Sequence, residues 1–69
     1  MEHIVYCERY FCYPIGEWRN KNFFSAVVMM ADVEKGGDPN LIDRTICADI
    51  GNVRIAEEAD YERFKIALL

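Results

Sequence analysis

A thiol, an imidazole or a carboxylate does chemistry only when the chain brings it a partner, so spacing is what decides. The 69-residue chain holds one histidine, His3, and three cysteines, Cys7, Cys12 and Cys47. No Cys-x-x-Cys pair occurs, and the odd count leaves at least one thiol unpaired. Within a single strand Cys7 and Cys12 point to opposite faces about 17 Å apart, too far to bridge. His3 and Cys7 share a face there, yet about 13 Å separates them, too far for one zinc ion with bonds near 2.0–2.3 Å. His3 also stands at a terminus, where a general base is poorly positioned. Ser25 sits in an apolar stretch without a Gly-x-Ser-x-Gly elbow and reads as a core hydroxyl. No catalytic residue, metal site or cofactor is expected. Cys47, on the polar parity of its segment, is the best candidate for a reactive or intermolecular thiol, the alternative being a small buried hydrophobe.

The carboxylates are numerous, twelve acids against eight bases, for a net charge of −4. Glu57, Glu58, Asp60 and Glu62 crowd the start of a helical pattern, with Glu58 and Glu62 on one face at i and i+4. They read either as a solvated first turn that complements the helix dipole or as a contact site for a partner's Lys and Arg. Calcium wants six or more oxygens, and no loop of alternating acids offers them. Gly36-Gly37-Asp38-Pro39 lacks a following Gly-Lys-Ser/Thr and reads as a turn, not a phosphate cradle. The segment Trp18-Arg19-Asn20-Lys21 puts the single tryptophan and two bases into a loop of an acidic chain. Trp and Arg dominate binding hot spots, so Trp18, Arg19 and Lys21 are the first expected partner contacts. The alternative is that Trp18 folds back on the core while the bases stay solvated.

These residues need elements to hold them. Residues 4–13 are dense in β-branched and aromatic types and read as one strand, punctuated by Pro14 and Gly16, with residues 17–22 as a loop. Residues 23–33 read as a second, central strand, apolar on both faces until Asp32. Residues 34–40 are the clearest loop. Residues 41–50 alternate, with Ile42, Ile46, Ala48 and Ile50 inward and Asp43, Thr45, Cys47 and Asp49 outward. Gly51-Asn52 signals a hairpin, and Val53 and Ile55 could face inward on a short fourth strand. Residues 57–69 read as a helix with Tyr61, Phe64 and Leu68 on one stripe. The expectation is one α+β domain over residues 1–69. It has a small antiparallel sheet of three to four strands, β-β-β-(β)-α, with one C-terminal helix packed on one face.

A chain this short buries only about 60% of its unfolded surface, so pairing with a second copy would help its stability. One helix covers one sheet face, so apolar groups should remain on the opposite face as an interface, most simply in a homodimer. The longest apolar run is too short to cross a bilayer. The absence of a signal segment and the cysteine usage point to the reducing cytoplasm. Net acidity opposes phosphate binding and suits a partner protein with a basic surface. The expected function is thus a small acidic, non-enzymatic protein-binding module, an inhibitor or adaptor that acts by surface occlusion. Phage anti-defence inhibitors of the anti-CRISPR kind are similar in size and charge, with no shared motif. The alternative is a structural dimerisation subunit of a larger assembly. Single-stranded nucleic acid on sheet aromatics with Arg9, Arg19, Lys21 and Arg44 ranks behind both.

Overall fold

The computed structural model describes residues 2–65, with the side chains of residues 17–19 outside the described set. Five strands build one antiparallel sheet: β1 (Ile4–Tyr6), β2 (Tyr10–Asn20), β3 (Phe23–Ala31), β4 (Thr45–Asp49) and β5 (Val53–Ile55), in the spatial order β4-β3-β2-β1-β5. A short helix, α1 (Glu58–Arg63), follows. The α+β class, the antiparallel sheet and the C-terminal helix are as expected, but the strands number five, not three or four. Among the described residues no helix is long and apolar enough to cross a membrane.

The extra strand comes from residues 4–13, which are two strands and a tight turn. Tyr6 lies opposite Tyr10, and Cys7 and Glu8 between them take left-handed φ values of 54° and 57°. Such turns normally carry Gly, Asn or Asp, so Cys-Glu-Arg gives no signal of one. The turn is fastened from both sides: the Arg9 N–H donates to the Tyr6 carbonyl at 3.0 Å, and the Cys7 N–H donates to the Asn52 carbonyl at 2.9 Å. The separation of Cys7 and Cys12 along one strand therefore does not apply, and all three cysteines are free thiols.

Pro14 does not end its strand. It pairs with Ala26, and the antiparallel alternation aims its nitrogen toward β1 at a level beyond Ile4, where the paired ladder with β1 has ended. The expected loop over residues 17–22 shrinks to a turn at Lys21 and Asn22, whose backbone N–H is accepted by the Asn20 side chain at 2.8 Å.

The connection from β4 to β5 dictates the shape. Only residues 50–52 separate them, a reach of at most about 15 Å across four Cα steps. In a flat sheet β4 and β5 would lie four strand spacings apart, about 19 Å before any offset along the strands. The sheet must curl, and β2 bends to let it, with register shifts between Phe11 and Cys12 and on both sides of Trp18. Gly16, at φ 79°, supplies a left-handed residue inside the bend. Across the curl, the Tyr6 hydroxyl on β1 donates to Asp49 Oδ1 on β4 at 2.6 Å.

Curling gives the domain two cores. The concave face closes on Ile4, Cys12, Phe24, Ala26, Val28 and Ala48, with Ile46, Ile42 and Val53 packed around them. On the convex face Val5 and Phe11 take Phe64 of the helical segment, flanked by Met30 and Tyr61. A six-residue helix has too few internal bonds to stand alone. Burial of Phe64, roughly 1.5–3 kcal/mol, holds it down. Ile50 and Ile55, expected inward, are exposed. Ile50 falls in the 3-10 turn Ile50–Asn52, where parity is lost, and Ile55 ends the outermost strand.

Candidate protein-binding surface

Four charged groups meet where the β1–β2 turn, β5 and α1 converge. Arg54 Nε and Nη2 donate to the two oxygens of Glu8 at 2.6 and 2.9 Å, while Nη1 and Nη2 donate to those of Asp60 at 2.7 and 2.8 Å. Planar guanidinium matches each carboxylate as a fork, the stronger form of the bond. Asp60 also accepts the Glu57 N–H at 2.8 Å and so caps the helix. The Arg54 hydrogen bonds hold the Asp60 carboxyl at about 2, well below the usual range, although burial pushes the other way. Arg54 likewise lowers Glu8. Arg63 stands 3.6 to 3.9 Å from Asp32, Asp60 and Glu8, with its guanidinium 4.3 Å above the Phe64 ring. Asp60, expected to contact a partner, is only 5% exposed. A partner could reach it only by displacing Arg54. Glu57, Glu58 and Glu62 remain exposed at the helix start.

His3 has a structural position. Its Nδ1 lies 2.9 Å from the Tyr61 hydroxyl, and its ring packs within 5.2 to 5.7 Å of Phe11, Tyr13 and Tyr61. It ties the start of the chain to the helix.

An open cleft of about 610 Å³ is lined by Cys7, Glu8, Arg9, Asn52 and Arg54 among others. Its polar groups already have partners, since Arg54 is held by two carboxylates and the Arg9 Nε donates to the Lys35 carbonyl at 3.1 Å.

Among the described residues, an exposed apolar patch lies on the outer face of the β2–β3 hairpin. Helix α1 and Phe64 cover only the convex face over β1 and the start of β2. Tyr13 is 41% exposed, Ile15 40% and Phe23 37%, on neighbouring strands with half-buried Val27 opposite Tyr13. The apolar face expected to stay uncovered opposite the helix is instead buried. The patch lies on the same face as the helix, because the opposite face is the interior of the curl. Lys21 stands exposed at the tip of this hairpin. Trp18 and Arg19 belong to β2 by backbone, Trp18 pairing with Phe24, while their side chains lie outside the described residues. Leu68 lies outside them as well.

No family model, curated protein or solved structure matches this chain.

Ile15 was missed as part of this surface because Pro14 and Gly16 read as the end of a strand. The available signal was the odd parity that Phe11, Tyr13 and Ile15 share. It becomes visible once proline is allowed at a position with no ladder bond to make.

Proposed function

We propose that this chain is a non-enzymatic module that binds another protein through the outer face of the β2–β3 hairpin and acts by covering part of that partner's surface. The observation that carries the reading is the exposure of Tyr13, Ile15 and Phe23 together on adjacent strands, on one face of the sheet. Rigid, strand-held apolar side chains lose little entropy on docking, and aromatic anchors ringed by polar groups are the usual centre of an interface. Lys21 at the hairpin tip supplies a charged rim, and the exposed Glu57, Glu58 and Glu62 offer a separate acidic rim to a basic partner. Arg54 and Arg63 are turned toward acids and present no cationic face to a phosphate backbone, which disfavours nucleic acid. An inhibitor or adaptor working in the cytoplasm fits this description.

The test is capture of the partner by wild type and by Ile15→Glu, followed by hydrogen exchange of the purified complex. The expected result is a stoichiometric protein whose affinity falls more than tenfold in Ile15→Glu, with protection gained over residues 13–15 and 23–27. Equal affinity of the two proteins, or protection elsewhere, would remove the hairpin from the reading. Because Ile15 is already exposed, the unfolding midpoint of the variant should match wild type.

A further inference from the structure

Backbone hydrogen bonding alternates along β4. The Val28 N–H donates to the Arg44 carbonyl at 2.9 Å and the Ile50 N–H to the Asn22 carbonyl at 3.0 Å. With Ala26 opposite Ile46 and Phe24 opposite Ala48, these bonds assign the even-numbered residues of β4 to the ladder with β3. The N–H and carbonyl groups of Thr45, Cys47 and Asp49 therefore point away from β3, where β4 is the last strand of the sheet. A free edge is normally blunted by Lys, Pro or a bulge, and Thr45-Ile46-Cys47-Ala48 contains none of these.

We propose that β4 pairs antiparallel with β4 of a second copy across a two-fold axis at Cys47, joining two curled sheets into one. The register follows from overlap and charge. With Cys47 opposite Cys47, all five residues overlap, and Thr45 faces Asp49 of the second copy, a hydroxyl beside a carboxylate. A register centred on Ile46 shortens the overlap to three residues and sets Asp43 opposite Asp49, and one centred on Asp49 sets that acid opposite itself, where like charges repel, while one centred on Ala48 is disfavoured by its shortened overlap alone. In the full-overlap register each outward N–H and carbonyl finds a partner, and two-fold symmetry closes the assembly at two copies. The paired Cys47 residues come within about 5.5 Å between Cα atoms, and their side chains project on the exposed convex face. The pairing uses the sheet edge and leaves the outer face of the β2–β3 hairpin free, so it stands or falls separately from the docking reading.

The experiment measures mass by light scattering across concentration for wild type, Thr45→Asp and Thr45→Lys, with cross-linking by a short bis-maleimide. Thr45 is exposed, so both variants should keep the wild-type circular dichroism spectrum. The pairing requires a wild-type mass of twice the 8.1 kDa chain, covalent dimer that disappears in Cys47→Ser, and a register-specific charge effect. Thr45→Asp, opposite Asp49, should weaken the dimer roughly five- to tenfold over its two symmetric contacts, and Thr45→Lys should leave it equal or tighter. A single-chain mass up to millimolar concentration overturns the proposal. So does a dimer indifferent to Thr45→Asp or cross-linked as well without Cys47, since either outcome assigns self-association to another surface.

Discussion

Arg54 serves two carboxylates with one guanidinium, and the carboxylates differ in how much water they see. Glu8 is 54% exposed at its side chain, whereas that of Asp60 is 7% exposed. Solvent screening makes the first bond weak in net terms, and desolvation makes the second costly to lose. Asp60→Asn should therefore lower the unfolding free energy by about 2 kcal/mol, while Glu8→Gln should cost under about 1 kcal/mol, both read from urea midpoints. This pair was hidden in the sequence. Asp60 sits among Glu57, Glu58 and Glu62, and its neighbours make it look like one more solvated acid of a first turn. Only the approach of β5 to the helix start distinguishes it, and no local spacing encodes that approach. Cys47, by contrast, was legible, because strict alternation over Thr45 to Asp49 fixes its face without reference to the rest of the chain.

At the level of elements, the loop between β3 and β4 shows how a glycine pair that reads only as a turn can be specified atom by atom. Gly36, at φ 93°, ends the 3-10 turn Val33–Lys35 in the left-handed region. Gly37 is buried, and a Cβ there would lie 2.8 Å from the Arg9 carbonyl oxygen and 2.9 Å from that of Asp32. Both are backbone atoms, and the same pair is joined by the Asp32 N–H donating to Arg9 at 2.7 Å. Neither can yield without breaking the clasp between this loop and the β1–β2 turn. Gly37→Ala should destabilise by roughly 2 kcal/mol or more, seen as a lowered melting temperature. Loop placement and the alternation of β4 were readable. The β1–β2 turn was not, because Cys7 and Glu8 accept left-handed geometry that costs an L-residue roughly 1–2 kcal/mol each, and the Arg9–Tyr6 and Cys7–Asn52 backbone bonds fasten it from both sides. Among the described residues the helix ends at Arg63, short of the expected run, since its boundary depends on where Phe64 meets Phe11 and Val5.

The whole molecule has its pH limits set from opposite ends. Asp60 ionises at about 2 in the fold against an ordinary 3.8, and Asp49 is also lowered, first by the Tyr6 hydroxyl. Depressed carboxyls contribute fully above about pH 4 and lose that contribution as the pH falls toward 2. Tyr6, bonded to Asp49, rises from 10.0 to about 12, and burial lifts Cys12 from 9.0 to about 12. Groups raised in the fold contribute fully below their unfolded values, and that contribution drains as the pH climbs from about 9 to 12. Melting temperature against pH should accordingly show a plateau between about 4 and 9 with a fall on each side. Tyr6→Phe should flatten the alkaline fall above about 10 while lowering the plateau. The class of fold and the antiparallel sheet with its C-terminal helix were legible. The second core was not, because a pattern of apolar residues on both faces of residues 23–33 says that both are covered, not that the sheet covers one of them by bending over itself.

The joining of β1 to β5 sets the order in which a nascent chain can finish. The meander of β1 through β4 leaves the ribosome first and can pair strand by strand with its neighbour in sequence. Until Val53–Ile55 emerge, β1 keeps its outer edge open, and until Phe64 follows, Val5 and Phe11 have nothing to lie against. A chain stalled between Asp49 and Val53 thus presents at once an unpaired strand and a bare apolar face, the two features that expose unfinished proteins to aggregation and to chaperones.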